Sequence, residues 1–262
     1  MRIASIGHAA FAATLIALGL LGLIEGSFTA IWQPVFDHVP DATLLSYLCA
    51  VVALACGVGL FGSRTHSLAA RVLFIYALLW LLVFKLPMII RAPLTEGSYQ
   101  YCSEMAVVVA GTWVLYAWFA TDADRRRLGF AVGQRGLRMA RVLYGLALLG
   151  FGFSHFVYLN LTAPLIPHWL HAPVFWAYLT GSAYLAAGAA ILLNVLDRLA
   201  ATLSAVMMGL FLLLIWLPMV ARGHVSAFHW GETYATWVLT AAAWVVADSY
   251  CEMRWLGADK GK

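Results

Sequence analysis

Charge is what this sequence has least of. Only 11% of its 262 residues are Asp, Glu, Lys or Arg, while 63% are hydrophobic. Soluble domains hold about 25% charged and 45–50% apolar residues. With a mean hydropathy of +0.86, the balance excludes a water-soluble globular enzyme, a disordered tail and a nucleic-acid binder. Cysteine is scarce too. There are four, Cys49, Cys56, Cys102 and Cys251, and none forms a C-x-x-C pair. Cys49 and Cys56 share a helix face about 10 Å apart along its axis, beyond the roughly 7 Å between Cα atoms that a disulfide spans. They read as core packing, and no dithiol redox centre is visible. A nucleotide-binding loop and a large soluble segment are also missing.

What remains is apolar helix. At about 20 residues per crossing, the hydrophobic content fills eight transmembrane helices. Proline, glycine and charge punctuate the chain and predict helices at 7–31, 43–62, 68–91, 101–121, 142–159, 172–193, 198–221 and 229–248. The first apolar stretch follows Met1-Arg2 and runs on to Trp32, longer than a leader core, so a retained helix is expected. With the N-terminus inside, the cytoplasmic segments carry Arg2, Arg64, Arg71, Arg125, Arg126, Arg127, Arg135, Arg138, Arg141, Arg198, Arg254, Lys260 and Lys262. The other side has Arg91 and Arg222, a strong positive-inside signal. Both termini are expected in the cytoplasm. The net charge of +4 then reflects orientation and contact with anionic lipid.

The chain also repeats itself. Tyr47–Arg91 overlays Tyr178–Arg222 without a gap, and roughly a third of these positions are identical. Leu68-Ala69-Ala70 matches Leu199-Ala200-Ala201, and Leu86-Pro87-Met88-x-x-Arg91 matches Leu217-Pro218-Met219-x-x-Arg222. Gly22 overlays Gly150, Phe28 overlays Phe156 and Glu104 overlays Glu232. An even number of helices per repeat predicts an all-α membrane protein of two tandem four-helix bundles, related by a pseudo-two-fold axis along the membrane normal. The expected units are 1–121 and 142–249, joined by a basic cytoplasmic linker at 122–141 and followed by a tail at 250–262.

Each repeat has a glycine-bearing first helix (Gly22, Gly150) and second helix (Gly57, Gly188). A proline stands near the outer end of the third (Pro87, Pro218), and Glu104 or the Trp230/Glu232 pair begins the fourth. This unit resembles the DoxX-like membrane family, here duplicated. The resemblance implies a multi-pass protein of the bacterial cytoplasmic membrane, often linked to quinone or thiol redox systems. Its thiosulfate-oxidising members work with quinone.

Ionisable residues within a bilayer need a partner or a purpose. Glu25 and Lys85 occur together in repeat one and align with Phe153 and Trp216 in repeat two, which predicts a Glu25–Lys85 ion pair. Arg91 and Arg222 read as snorkelling ends or as anion contacts. Repeat two is richer in imidazole. His155 stands in an apolar helix, where a polar ring requires a polar partner; Glu232 and Trp230 are its expected neighbours. His229 and Glu232 share a face at the start of a helix. His155, Glu232, Trp230, Arg222, Trp176 and His229 are therefore candidate ligand-binding residues. His168, His171 and His229 form a weaker candidate set for a transition metal. Haem held by His155 and His229 at similar depth is a further alternative. His38 and His224 join the same side.

Three functions stay open. The first is a redox-associated subunit that binds quinone or a similar small ligand at the outer side of the second bundle and takes electrons from a membrane or periplasmic partner. The second is a non-enzymatic assembly or accessory subunit of a larger membrane complex, with Gly57 and Gly188 admitting close neighbours. The third is a transporter of small solutes or metals. No catalytic residue is assigned.

Overall fold

The computed structural model describes residues 4–36, 39–167, 169–223 and 226–256. His38, His168 and His224 lie outside these, as do Arg2, Lys260 and Lys262. Among the described residues there is no strand, and 80% of the structure is helix. In hydrocarbon a helix satisfies its own backbone groups, which an irregular chain cannot do.

Seven helices, among the described residues, are long and apolar enough to cross a membrane: α1 (Ile6–Glu25), α2 (Ala42–Phe61), α3 (His66–Arg91), α4 (Glu96–Phe119), α5 (Gly133–Val157), α6 (Pro173–Leu193) and α7 (Asp197–Ala221). Their large apolar side chains point outward as well as inward; Ile24, Leu79, Phe153 and Leu213 are all exposed. Such surfaces fit a lipid environment and a multi-pass protein. A further long helix, α8 (Ala227–Asp248, 22 residues), has the length to span. Its first turns carry His229, Glu232 and Thr233, and it is not among the seven.

Several ends differ from the sequence expectation. Helix α1 stops at Glu25, because Gly26 takes a left-handed conformation (φ 64°) and its N–H returns to Gly22 O. The chain then turns inward through a 3₁₀ turn at Ala30–Trp32. Helix α5 begins at Gly133, so Arg135, Arg138 and Arg141 lie on helix rather than in a loop. Of the basic linker, Asp122–Arg127 forms a short helix.

Both α3 and α7 contain a π turn, at Leu81–Lys85 and Leu212–Trp216. These are the same five positions of the sequence repeat, and each is followed by Leu-Pro. A proline inside a helix cannot donate to the preceding turn and its ring crowds the carbonyl there. The wider turn absorbs the missing bond without ending the helix.

Helix α1 packs on α2 and α5 on α6; α4 packs against α3, α5 and α8 and is the most enclosed helix. Small residues set these distances. A Cβ on Gly57 would stand 2.8 Å from Ala12 O, and one on Gly188 2.7 Å from Gly145 O. Both glycines thus serve contacts within this chain, α1 with α2 and α5 with α6.

One end of the bundle gathers the basic residues. Gly7 N donates to Asp248 Oδ2 (2.9 Å) and ties α1 to α8. Arg141 reaches Ser249 and lies over the Tyr250 ring at 3.9 Å. Arg71 pairs with Asp124 at 2.8 Å. Asp124 also accepts from Tyr116 OH and, in a capping box, from Thr121 N and Oγ1. Burial pushes its carboxyl up, but the bonds from Thr121 and Arg71 prevail and hold it below the usual carboxylate range.

Candidate functional site

The opposite end of the bundle differs between the two halves. In the first half the chain after α1 folds back into the helices. Ile31 and Trp32 are buried, and the Trp32 ring meets Tyr76 and Trp80 edge-on, each at 5.3 Å. Trp80 Nε1 donates to Trp32 O at 3.1 Å. Lys85, projecting from the π turn of α3, is 1% exposed. Its ammonium donates to the carbonyls of Trp32, Gln33 and Pro34. Three carbonyl dipoles replace the water that a buried ammonium would otherwise lose. Glu25 is exposed at the end of α1, so the Glu25–Lys85 pair expected from the sequence is not formed. Backbone oxygens took the place of the carboxylate.

The second half holds a partly open cavity of about 440 Å³ among the described residues. Its walls come from α4 to α8. Phe151, Tyr184, Phe211, Trp216 and Phe228 make it aromatic, while Gln100, Glu104, His155 and Glu232 add polar groups. His155 Nδ1 donates to Phe151 O at 2.8 Å, because a carbonyl can only accept; in the neutral ring Nε2 is then an acceptor. The ring leans on Tyr184 and Phe211, at 5.5 and 6.0 Å between centroids.

The two carboxylates reach this cavity from different helices. Glu104 stands on α4, in the first half of the sequence, and accepts from Gln100 Nε2 at 2.9 Å. Gln100 Oε1 lies 2.5 Å from Ser154 Oγ, which also meets Glu96 Oε1 and Gly150 O. Glu96 Oε2 is buried without a partner. A line of polar groups, Glu96–Ser154–Gln100–Glu104, therefore joins the start of α4 to the cavity wall. Glu232, on α8, lines the cavity and has no hydrogen bond among the described residues.

Of the six expected ligand-binding residues, the structure brings His155 and Glu232 together in one cavity and leaves four out of it. Trp176 Nε1 donates to His171 O on the surface. His229 closes the N-terminus of α8: its Nδ1 bonds the Ser226 hydroxyl at 2.8 Å and accepts from Ser226 N. Arg222 is exposed. Trp230 stacks on Tyr234, away from the lining. Arg91 lies 4.2 Å from the centroid of Phe36. Of the candidate metal set, His168 lies outside the described residues; among those described, no three His, Cys, Asp or Glu side chains converge. All four cysteines are free.

Sequence reasoning missed Tyr184, Phe211 and Trp216, whose aromatic character is indistinguishable from ordinary core. It also assigned Glu104 to the first bundle, whereas α4 carries it into the cavity of the second half. Its alignment with Glu232 was the one signal that the two acids belong together. No family model, no curated protein and no solved structure matches this chain.

Proposed function

We propose that this chain is a membrane protein with eight crossings, built as two DoxX-like four-helix units, 1–121 and 142–249, about a pseudo-two-fold axis along the membrane normal. The twin π turns, the paired Leu-Pro steps and the matched packing of α1 on α2 and α5 on α6 support this reading. In a bacterial cytoplasmic membrane the basic end, with both termini, faces the cytoplasm, and the cavity faces outward.

The cavity's function is to bind a small amphiphilic ligand. The observation that carries this is a pocket of about 440 Å³, within the usual range for small molecules, where an apolar aromatic wall meets Glu104, Glu232 and His155. As a redox-associated subunit the chain would take electrons from a separate partner protein and hold the quinol that results. His155 Nε2 and the carboxylates can accept from its hydroxyls.

Trp216 lines the pocket and gives the test. Titrating purified protein with a short-chain quinol is expected to change tryptophan fluorescence saturably, and Trp216→Phe is expected to remove most of the change. A featureless titration in both proteins would contradict the reading.

A further inference from the structure

The cavity lining has an electrostatic imbalance. Two carboxylates, Glu104 and Glu232, face it, and among the described residues no lysine or arginine lines it. Lys85, within 5.7 Å of the Tyr101 centroid, gives its hydrogen bonds to three carbonyls in the other half, and its charge also acts on Glu104. Gln100 supplies Glu104 with one hydrogen bond; Glu232 has none. A largely buried carboxylate without a counter-charge is costly; Glu104 has Lys85 near it, whereas Glu232 has no cation acting on it among the described residues.

The walls supply the second half of the argument. Aromatic rings carry negative faces that attract cations. Phe151, Tyr184, Phe211, Trp216 and Phe228 come from four different helices, α5, α6, α7 and α8, and surround the same space. Aromatic rings on several sides, with carboxylates on α4 and α8, make a surround suited to an ammonium or phosphonium centre with an apolar body.

We infer that the ligand of this cavity is a lipophilic organic cation, a protonated amine or quaternary ammonium compound. Glu104 and Glu232 neutralise its charge, and the rings of Phe211, Tyr184 and Trp216 enclose its body. This rests on the reading of the cavity as a site for a small amphiphilic ligand, and sets a cation in place of the quinol as its occupant. It also assigns Glu232 a purpose that the protein's own hydrogen bonds leave unfilled.

The test uses the full chain in detergent or lipid nanodiscs and two probes of one shape and opposite charge, tetraphenylphosphonium and tetraphenylborate, followed by calorimetry. Saturable binding of the phosphonium and none of the borate is expected. Glu232→Gln removes no hydrogen bond of the fold, so it should stay folded, and it is expected to weaken the phosphonium about tenfold or more. The double variant Glu104→Gln/Glu232→Gln should abolish saturation, with thermal unfolding as the check on folding. Equal binding of both probes, or an unchanged phosphonium affinity in Glu232→Gln, would overturn the inference. A short-chain quinol serves as the third probe. If it saturates and the phosphonium does not, the cation inference falls and the ligand site stands. If neither saturates, both fall.

Discussion

The first half of this molecule is filled where the second is open, although the sequence repeat aligns them. In the first, the chain after α1 enters the bundle and inserts Trp32 against Tyr76 and Trp80, and Lys85 fastens it by its carbonyls. In the second, the aligned partner of Lys85 is Trp216, which fastens nothing and lines a wall. His155 aligns with Ser27, and Tyr184 with the small buried Ala53. On the proposed duplication, one copy serves packing and the other binding, and the residues that differ at aligned positions report which is which.

Emptying the filled side gives the largest effect. Trp32→Ala removes a buried aromatic and should cost about 3–5 kcal/mol in unfolding of the purified protein. Trp216→Ala, at the edge of an existing cavity, should cost about half as much. Equal losses would break the comparison. Next is Lys85→Met, which leaves three carbonyls without their donor and should cost about 3 kcal/mol. Adding Glu25→Gln should change this by less than about 0.5 kcal/mol, because Glu25 is exposed. A double variant more stable than Lys85→Met alone would restore the ion pair that the sequence suggested.

The smallest effect lies at the end both halves share. Asp124 is held below the usual carboxylate range in the folded protein, so its bonds to Arg71 and Thr121 stabilise the fold at pH above the unfolded value. That contribution fades as pH falls through the lower folded value. The Arg71 side chain is 35% exposed, and solvent screening limits the pair to about 1 kcal/mol or less. Asp124→Asn should therefore lower Tm slightly near neutrality and flatten its decline between about pH 5 and 3. An unchanged acid limb in that variant would remove Asp124 from the account.

The helices were legible because apolar length and Gly/Pro punctuation are local properties. So were His155 and Glu232, since polar groups in apolar helices demand a reason. The plug was not legible: Trp32 as an interfacial aromatic and Trp32 as a buried wedge use the same letter. Lys85 misled for a related reason. A charge looks for a countercharge in the sequence, yet backbone carbonyls carry no signature there. His229 stood three residues after Ser226, and that spacing marked a helix cap as well as a ligand pair. The sharing of Glu104 across the halves depended on how α4 packs, which no repeat alignment contains.

Thr180 lines the open cavity, and the residue aligned with it in the first half is Cys49, buried and free. Labelling by a small charged methanethiosulfonate, in a background where the other three cysteines are alanine, tests the contrast directly. With Cys49 as the sole thiol the protein should remain unlabelled until it is denatured, whereas Cys49→Ala/Thr180→Cys should react rapidly and be protected by a bound ligand. Similar labelling rates at the two positions would contradict the claim that one half is filled and the other open.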